Sequence, residues 1–396
     1  MPSRRAHHPG LAVAALAVGG FAIGTTEFAS MGMLPEVARG IDVDIPTAGH
    51  LVSAYALGVV VGAPTLAVLG SRLPRKLLLV ALMGLFAVAH LASLAVSTYP
   101  ALMAVRFVAG LPHGAYFGIA SLVAASLVDE RHRTQAVSNV LMGLTVANVV
   151  GVPVATWLGQ HVGWQTAYAV VGALGLLTMA AVSRLVPHQE VDPDTSVRRE
   201  LGALRRPQVW LALLIGTVGF GGMFSTYAYI SPTLQTVGHW SAGAVPWILS
   251  LYGIGSTAGA AVAGRVARVG ILRGIAILLV LIALLLAVWA LLLPYVVVGL
   301  AATFLLGALP SMLVPLLQTR LMDVAHEGQS LAAALNHSTL NVANALGAWL
   351  GSVVLAAGWS YAWPSRVGVV LAVLGLGVTA WSALLGRTTT GPGPTR

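Results

Sequence analysis

One acidic and one basic residue stand where neither is expected. Glu27 lies in Gly24-Thr-Thr-Glu27-Phe-Ala-Ser-Met-Gly32-Met-Leu-Pro35, and Arg106 in Arg106-Phe-Val-Ala-Gly110-Leu-Pro-His-Gly114, each inside a long apolar run. The other eleven acidic residues fall in the polar segments between such runs, and Arg106 is the one basic residue within a run. An ionised carboxylate in hydrocarbon is expensive, so a carboxyl there is by default a functional candidate. The chemistry open to it is uptake and release of a proton. The plainer alternative is a glutamate near the headgroups, wetted and inert. For Arg106 the alternative is a structural charge bonded to helix carbonyls. Counted at 1.5 Å per helical residue from the same end of the bundle, the two residues have matching depth. They are expected to lie close together in one electrostatic network.

Other polar and aromatic side chains could line a cavity for a small molecule. His113 follows Pro112. One later run holds Phe220, Phe224, Tyr227 and Tyr229, and another holds Asn336, His337, Asn341 and Asn344. Asn341 and Asn344 are three apart, hence on one helix face. The candidate substrate contacts are His113, Tyr227, Tyr229, Asn336, Asn341 and Asn344. Asparagines in apolar runs also bridge helices, and aromatics there also pack or anchor at the interface.

The elements that must hold these residues are membrane-spanning helices. The chain has 396 residues, 57% hydrophobic and 8% charged, with mean hydropathy +0.87. Soluble domains are about a quarter charged, so a chain this apolar needs lipid to cover it. Twelve runs have the length of about 20 residues that crosses a bilayer: 11–34, 47–69, 77–97, 100–124, 134–158, 165–187, 208–234, 243–264, 273–293, 295–319, 329–355 and 361–386. Backbone groups in lipid need internal partners, so each is expected to be a helix. The alternation of a transmembrane barrel strand is missing. Arg4 and Arg5 before the first run resemble a secretion signal, but the run exceeds a signal's apolar core and others follow.

Lysine and arginine set the orientation. With the N-terminus in the cytoplasm, eighteen of the 21 lie on the inner side, Arg39 and Arg366 lie outside, and Arg106 lies in a span. Both termini are therefore expected inside. The polar stretch 188–207 divides the chain into six-helix halves, 1–187 and 208–396, joined by a cytoplasmic loop. A repeat supports the division: Gly62, Arg72 and Arg75 are echoed 193 residues later by Gly255, Arg265 and Arg268, and Asn148 and Gly151 have a similar echo, 196 residues on, in Asn344 and Gly347. Paired halves mark a repeat-built transporter. Glycines four apart, at Gly58/Gly62, Gly110/Gly114/Gly118, Gly255/Gly259 and Gly347/Gly351, permit close helix approach. Pro112 and Pro153 fall mid-span, where they remove backbone donors and bend helices.

Several chemistries drop out. With no cysteine, disulfides and thiolate metal sites are excluded. Gly253-x-Gly255-x-x-Ala258 and Gly375-x-Gly377-x-x-Ala380 imitate a dinucleotide fingerprint but follow no strand, and there is no P-loop, HExxH or GxSxG. The net charge of +9 is spread between apolar runs rather than on one polar face, which argues against nucleic acid.

These residues resemble the major facilitator superfamily, and more narrowly its drug:proton antiporter branch of chloramphenicol-resistance and arabinose-efflux-type permeases. The Glu27 stretch is similar to the first-helix signature, whose acid is implicated in proton and substrate coupling. The Arg106 stretch is similar to the fourth-helix motif, whose arginine is implicated in proton transfer. Gly143 through Gly151-Val-Pro153 to Gly159 is similar to the fifth-helix antiporter motif, although Val152 separates its usual Gly-Pro pair. The loop motif after span two usually reads Gly-x-Leu-Ala-Asp-Arg-x-Gly-Arg-Arg. Here Ser71 and Pro74 replace its Asp and second Gly, leaving Arg72, Arg75 and Lys76, with Arg265 and Arg268 in the second half, as conformational-switch candidates.

The resemblance implies an all-α membrane protein with twelve transmembrane helices in two pseudo-symmetric six-helix halves. It implies a monomeric, proton-coupled exporter of drugs, sugars or metabolites in a bacterial inner membrane, with no cofactor and no metal. Its partners would be a small-molecule substrate, protons and the lipid bilayer. The alternatives are an importer or uniporter of the same fold, a non-transporting receptor, and a membrane-embedded enzyme.

Overall fold

A computed structural model describes residues 9–70, 73–188, 205–325 and 329–389. Within these it is all helix. The first half comprises α1 (Pro9–Gly32), α2 (Leu34–Gly40), α3 (Ile45–Gly70), α4 (Arg75–Ala92), α5 (Tyr99–Ser126), α6 (Arg133–Val146), α7 (Val152–His161) and α8 (Trp164–Leu185). The second half comprises α9 (Pro207–Tyr227), α10 (Ile230–Thr236), α11 (Val245–Ala267), α12 (Ile271–Leu292), α13 (Val296–Ala325), α14 (Gln329–Ala356) and α15 (Trp363–Thr389). Twelve helices are long and apolar enough to cross a membrane, at the twelve places expected.

Proline explains most boundary differences. Run 11–34 ends as helix at Gly32, and α2 restarts with Pro35 in its first turn. Run 208–234 likewise divides into α9 and α10 around Pro232. A proline has no N–H for the carbonyl four residues back, so the ladder breaks there. In the fifth span Pro153 has no N–H to offer the Val149 carbonyl four residues back, and Ala147–Gly151 widens into a π-turn between α6 and α7. The tenth span runs past residue 319 to Ala325, which brings Arg320 and Asp323 into its last turns.

The halves repeat each other, at a spacing that corrects the one read from the arginines. A Cβ on Gly58 would meet the Phe107 carbonyl, and one on Gly255 would meet the Phe304 carbonyl. Gly62 stands against the Leu111 carbonyl as Gly259 stands against the Ala308 carbonyl, and Gly110 against that of Tyr55 as Gly307 against that of Tyr252. Asp42 and His239 share a positive φ, 54° and 57°. Each of these pairs is 197 residues apart, so Gly62 matches Gly259 rather than Gly255, one helical turn from the 193-residue echo. Gly118 has open space around it and makes no close approach, unlike Gly110 and Gly114.

Within the first half α3 packs on α5, α1 on α6 and α8, and α4 on α8. In the second half α11 packs on α13, and α9 on α14 and α15. The halves meet mainly through α3 against α14 and through the α6–α7 span against α11. The hydrogen bonds recorded between halves, among the described residues, gather toward the end that carries α2 and α10. Ser53 donates to the Ala345 carbonyl (3.0 Å) and Ser352 to that of Pro46 (2.9 Å). His50 Nε2 lies 3.0 Å from Ser352 Oγ, and Gln160 donates to the Ala242 carbonyl (2.9 Å). Ser250 donates to the Val149 carbonyl freed by Pro153 (2.5 Å). Toward the other end a cavity of about 360 Å³ runs along Pro9, Val13, Ala17, Gln135, Asn139 and Met142.

Candidate functional site

The site sits where α1, α3, α5 and α14 converge. Glu27 is 8% exposed and Arg106 1% exposed. They share one network but form no direct ion pair. Arg106 Nη1 donates to the Thr26 hydroxyl at 3.0 Å. Its guanidinium lies over the Tyr55 ring at 4.4 Å and the Tyr168 ring at 5.1 Å. Such stacking of a buried cation is worth up to about 2 kcal/mol. Nε and Nη2 of Arg106 have no hydrogen-bond partner among the described residues. Glu27 turns instead to His113, with Oε2 and Nε2 4.0 Å apart. His113 Nδ1 is 3.1 Å from the Tyr55 hydroxyl. Tyr55 therefore stands between the arginine and the imidazole that faces the acid.

A second chain of contacts fixes Thr26. His90 Nδ1 lies 2.8 Å from its own helix carbonyl at Phe86, so in the neutral ring Nδ1 carries the proton. Nε2 then accepts from the Thr26 hydroxyl at 2.8 Å, and the Thr26 oxygen accepts from Arg106. One turn on, Ser30 donates to the Thr26 carbonyl (3.2 Å) and lies 2.9 Å from the Tyr168 hydroxyl. Tyr55, Thr26, Ser30, His90 and Tyr168 are site residues that reading the charges alone misses. Their sequence signal is weak: isolated polar groups in apolar runs, on four different helices.

The substrate candidates divide. Tyr227 is buried at the interface, packed edge-on against Phe28 of α1 (5.7 Å) and near Tyr252 (4.3 Å), while Phe28 also stacks on Phe224 (6.4 Å). Tyr229 is elsewhere: its hydroxyl donates to the Ala348 carbonyl at 2.8 Å and its ring fills the space beside Gly49 and Gly351, within the sealed end. Asn341 Nδ2 donates to the His337 carbonyl at 3.1 Å. Asn341 Oδ1, Asn336 Nδ2 and both amide atoms of Asn344 are buried without partners among the described residues. Asn148 Oδ1, in the π-turn, is in the same condition. Positions 337, 341 and 344 share one helix face, and His337 on it stacks on Phe117 of α5 (6.1 Å, 4° between planes). This face looks across to the first half at the level of His113.

The antiporter-motif glycines carry the fifth span along α1. Gly143 stands against the Ala17 carbonyl, Gly151 against the Thr25 hydroxyl, and Gly159 against Met33. Pro153 opens the turn between them. Among the loop candidates, Arg72 lies outside the described residues. Arg75 and Lys76 begin α4, while Arg265 and Arg268 are exposed at the end of α11. None of these four forms an ion pair with a described residue, and the structure does not bring them to the Glu27 site.

Two six-helix halves around a buried acid, hydrogen-bonded to each other toward one end, define a polytopic membrane transporter. The chain belongs to the Major Facilitator Superfamily, whose sequence model matches residues 16–336. It is 41% identical over 376 residues to the inner membrane transport protein YdhP of Escherichia coli (strain K12), covering 93% of this chain and 95% of that one. It is 33% identical over 347 residues to a chloramphenicol resistance protein of Streptomyces lividans, covering 86% and 88%. The fold matches the crystal structure of the nucleoside transporter NupG with a TM-score of 0.73 at 13% identity, covering 94% of this chain and 99% of that one. The expected family and fold are borne out. The protein is an integral membrane transporter of small molecules, not an enzyme.

Proposed function

We propose that this transporter exports small organic molecules in exchange for protons, by alternating access to one central site. The observation that carries the reading is Glu27. It is the one acidic residue of the described spans that lies away from a span end, and it is buried beside His113 and the Arg106 network. A carboxyl so placed is a natural carrier of a single proton. With the N-terminus inside, as the arginine distribution implies, the end sealed by Ser53, Ser352 and Gln160 is the outer one. Glu27 takes a proton from outside as substrate leaves and releases it inside. One proton crossing 150 mV supplies about 3.5 kcal/mol, enough for a gradient of roughly a few hundred-fold.

The name of the Streptomyces relative makes amphenicols the first class to test, followed by pentoses, nucleosides and cationic dyes. In inside-out vesicles with an acid interior, a transported compound should dissipate the proton gradient, and Glu27→Gln should not respond. A gradient collapse that persists undiminished in Glu27→Gln would remove the acid from the coupling. No response to any compound in either protein would favour an importer or an uncoupled facilitator.

A further inference from the structure

The buried acid and the seal between the halves are linked by a short run of contacts. Tyr55 stands two residues from Ser53, whose hydroxyl bonds α3 to the Ala345 carbonyl of α14. The Tyr55 hydroxyl is 3.1 Å from His113 Nδ1, and His113 Nε2 is 4.0 Å from Glu27 Oε2. The Arg106 guanidinium caps the Tyr55 ring at 4.4 Å. Tyr55 is 1% exposed and His113 3%, so bulk water cannot stand in for these partners.

A neutral imidazole donates from one ring nitrogen and accepts at the other. With Glu27 a carboxylate, Nε2–H faces it and Nδ1 accepts the Tyr55 O–H. With Glu27 a carboxylic acid, its O–H faces Nε2, the ring proton sits on Nδ1, and the Tyr55 oxygen accepts. The two states differ by one proton, held on the carboxyl; the ring proton changes nitrogen and no other bond changes. Protonation of Glu27 thereby turns the Tyr55 hydroxyl from donor to acceptor. We propose that His113 and Tyr55 are positioning residues that transmit the protonation state of Glu27 to α3, the helix that seals against α14. This rests on the reading of Glu27 as the coupling acid. The other charged or titratable groups around the relay are Arg106 on α5, His90 on α4 through Thr26, Tyr168 on α8, Tyr227 on α9, Tyr252 on α11 and His337 on α14. All are unchanged in the variants below.

The chain has no cysteine, so a single introduced thiol reports without background. Ala48→Cys places one at a fully buried position on the sealed part of α3. In proteoliposomes its maleimide labelling rate, divided by that of the same protein unfolded at the same pH to remove the thiol's own ionisation, should depend on pH; this normalised rate is the pH dependence meant below. Tyr55→Phe keeps the ring under Arg106 and loses only the hydroxyl. It should shift the ratio of open to sealed forms by about fivefold, the effect of one neutral hydrogen bond, and should flatten the pH dependence. A monodisperse profile and a cooperative melting transition of the purified variant show that it is folded. His113→Gln, which removes Nδ1, should do the same. If Glu27→Gln loses the pH dependence while Tyr55→Phe and His113→Gln keep it, the relay is wrong and the acid stands. If Glu27→Gln itself keeps the pH dependence, the acid reading fails and the relay falls with it.

Discussion

At the scale of single residues, the burial of Arg106 decides what it can be replaced by. Its planar guanidinium lies over two tyrosine rings and donates to Thr26. A lysine keeps the charge but loses the plane and the directed donors. Arg106→Lys should lower the unfolding free energy by about 1–2 kcal/mol, read as a lower melting temperature of the purified protein. A different residue tests the loop between the first two spans. Asp44 Oδ1 accepts from the Thr47 N–H at 2.8 Å at the start of α3, and the Thr47 side chain together with that N–H holds its carboxyl below the usual range. A depressed carboxylate contributes stability above its unfolded value and loses it as pH falls through the folded one. This contribution should therefore vanish in the window below about pH 4. At neutral pH Asp44→Ala should cost about 1 kcal/mol, as loss of a helix cap does. The difference between the two proteins should shrink as the pH is lowered further below that window.

At the scale of elements, the paired glycines separate backbone contact from mere composition. Gly58 and Gly255 each face a carbonyl of the neighbouring span, while Gly118 faces open space. Gly58→Ala and Gly255→Ala should each destabilise by about 1–3 kcal/mol through overpacking. Gly118→Ala should be neutral or gain up to about 1 kcal/mol from helix propensity. Thermal unfolding of the three variants checks this, and equal losses at all three would show that the four-residue spacing alone is what matters. The sequence showed the spacing but not the contact, because spacing says nothing of which face meets a neighbour. Pro153 is more informative. The carbonyl it strands is that of Val149 by simple counting, and Ser250 of the other half occupies it. Ser250→Ala should weaken the junction of the fifth and eighth spans by about 0.5–1.5 kcal/mol. Spin labels on either side of the junction should report a larger separated population.

At the scale of the whole molecule, α11 offers a direct test of orientation. Ser241, just before its span, and Arg268, just after it, are exposed on opposite sides. In intact cells an impermeant maleimide should label Ser241→Cys and spare Arg268→Cys. The reverse result would invert the bundle, and with it the assignment of the sealed end as the outer one.

What the sequence determined by itself follows from one-dimensional physics. Span count comes from the fixed thickness of hydrocarbon. The helical state comes from the need to satisfy every backbone group in lipid. The singling out of Glu27 and Arg106 comes from the expense of charge in that medium. These depend on local composition, so they are legible residue by residue. The tertiary structure decided the rest. Glu27 and Arg106 prove to be neighbours in one network but not partners, because Tyr55, Thr26 and His113 come between them from three different helices. Tyr229 and Tyr227, two residues apart in sequence, part company because the chain breaks between α9 and α10, sending one ring into the seal and the other to the central interface. The repeat spacing of 197 rather than 193 is likewise set by which glycine meets which carbonyl. Contacts among helices hundreds of residues apart depend on rotation and depth, and a shift of one turn leaves apolar composition unchanged while replacing every partner.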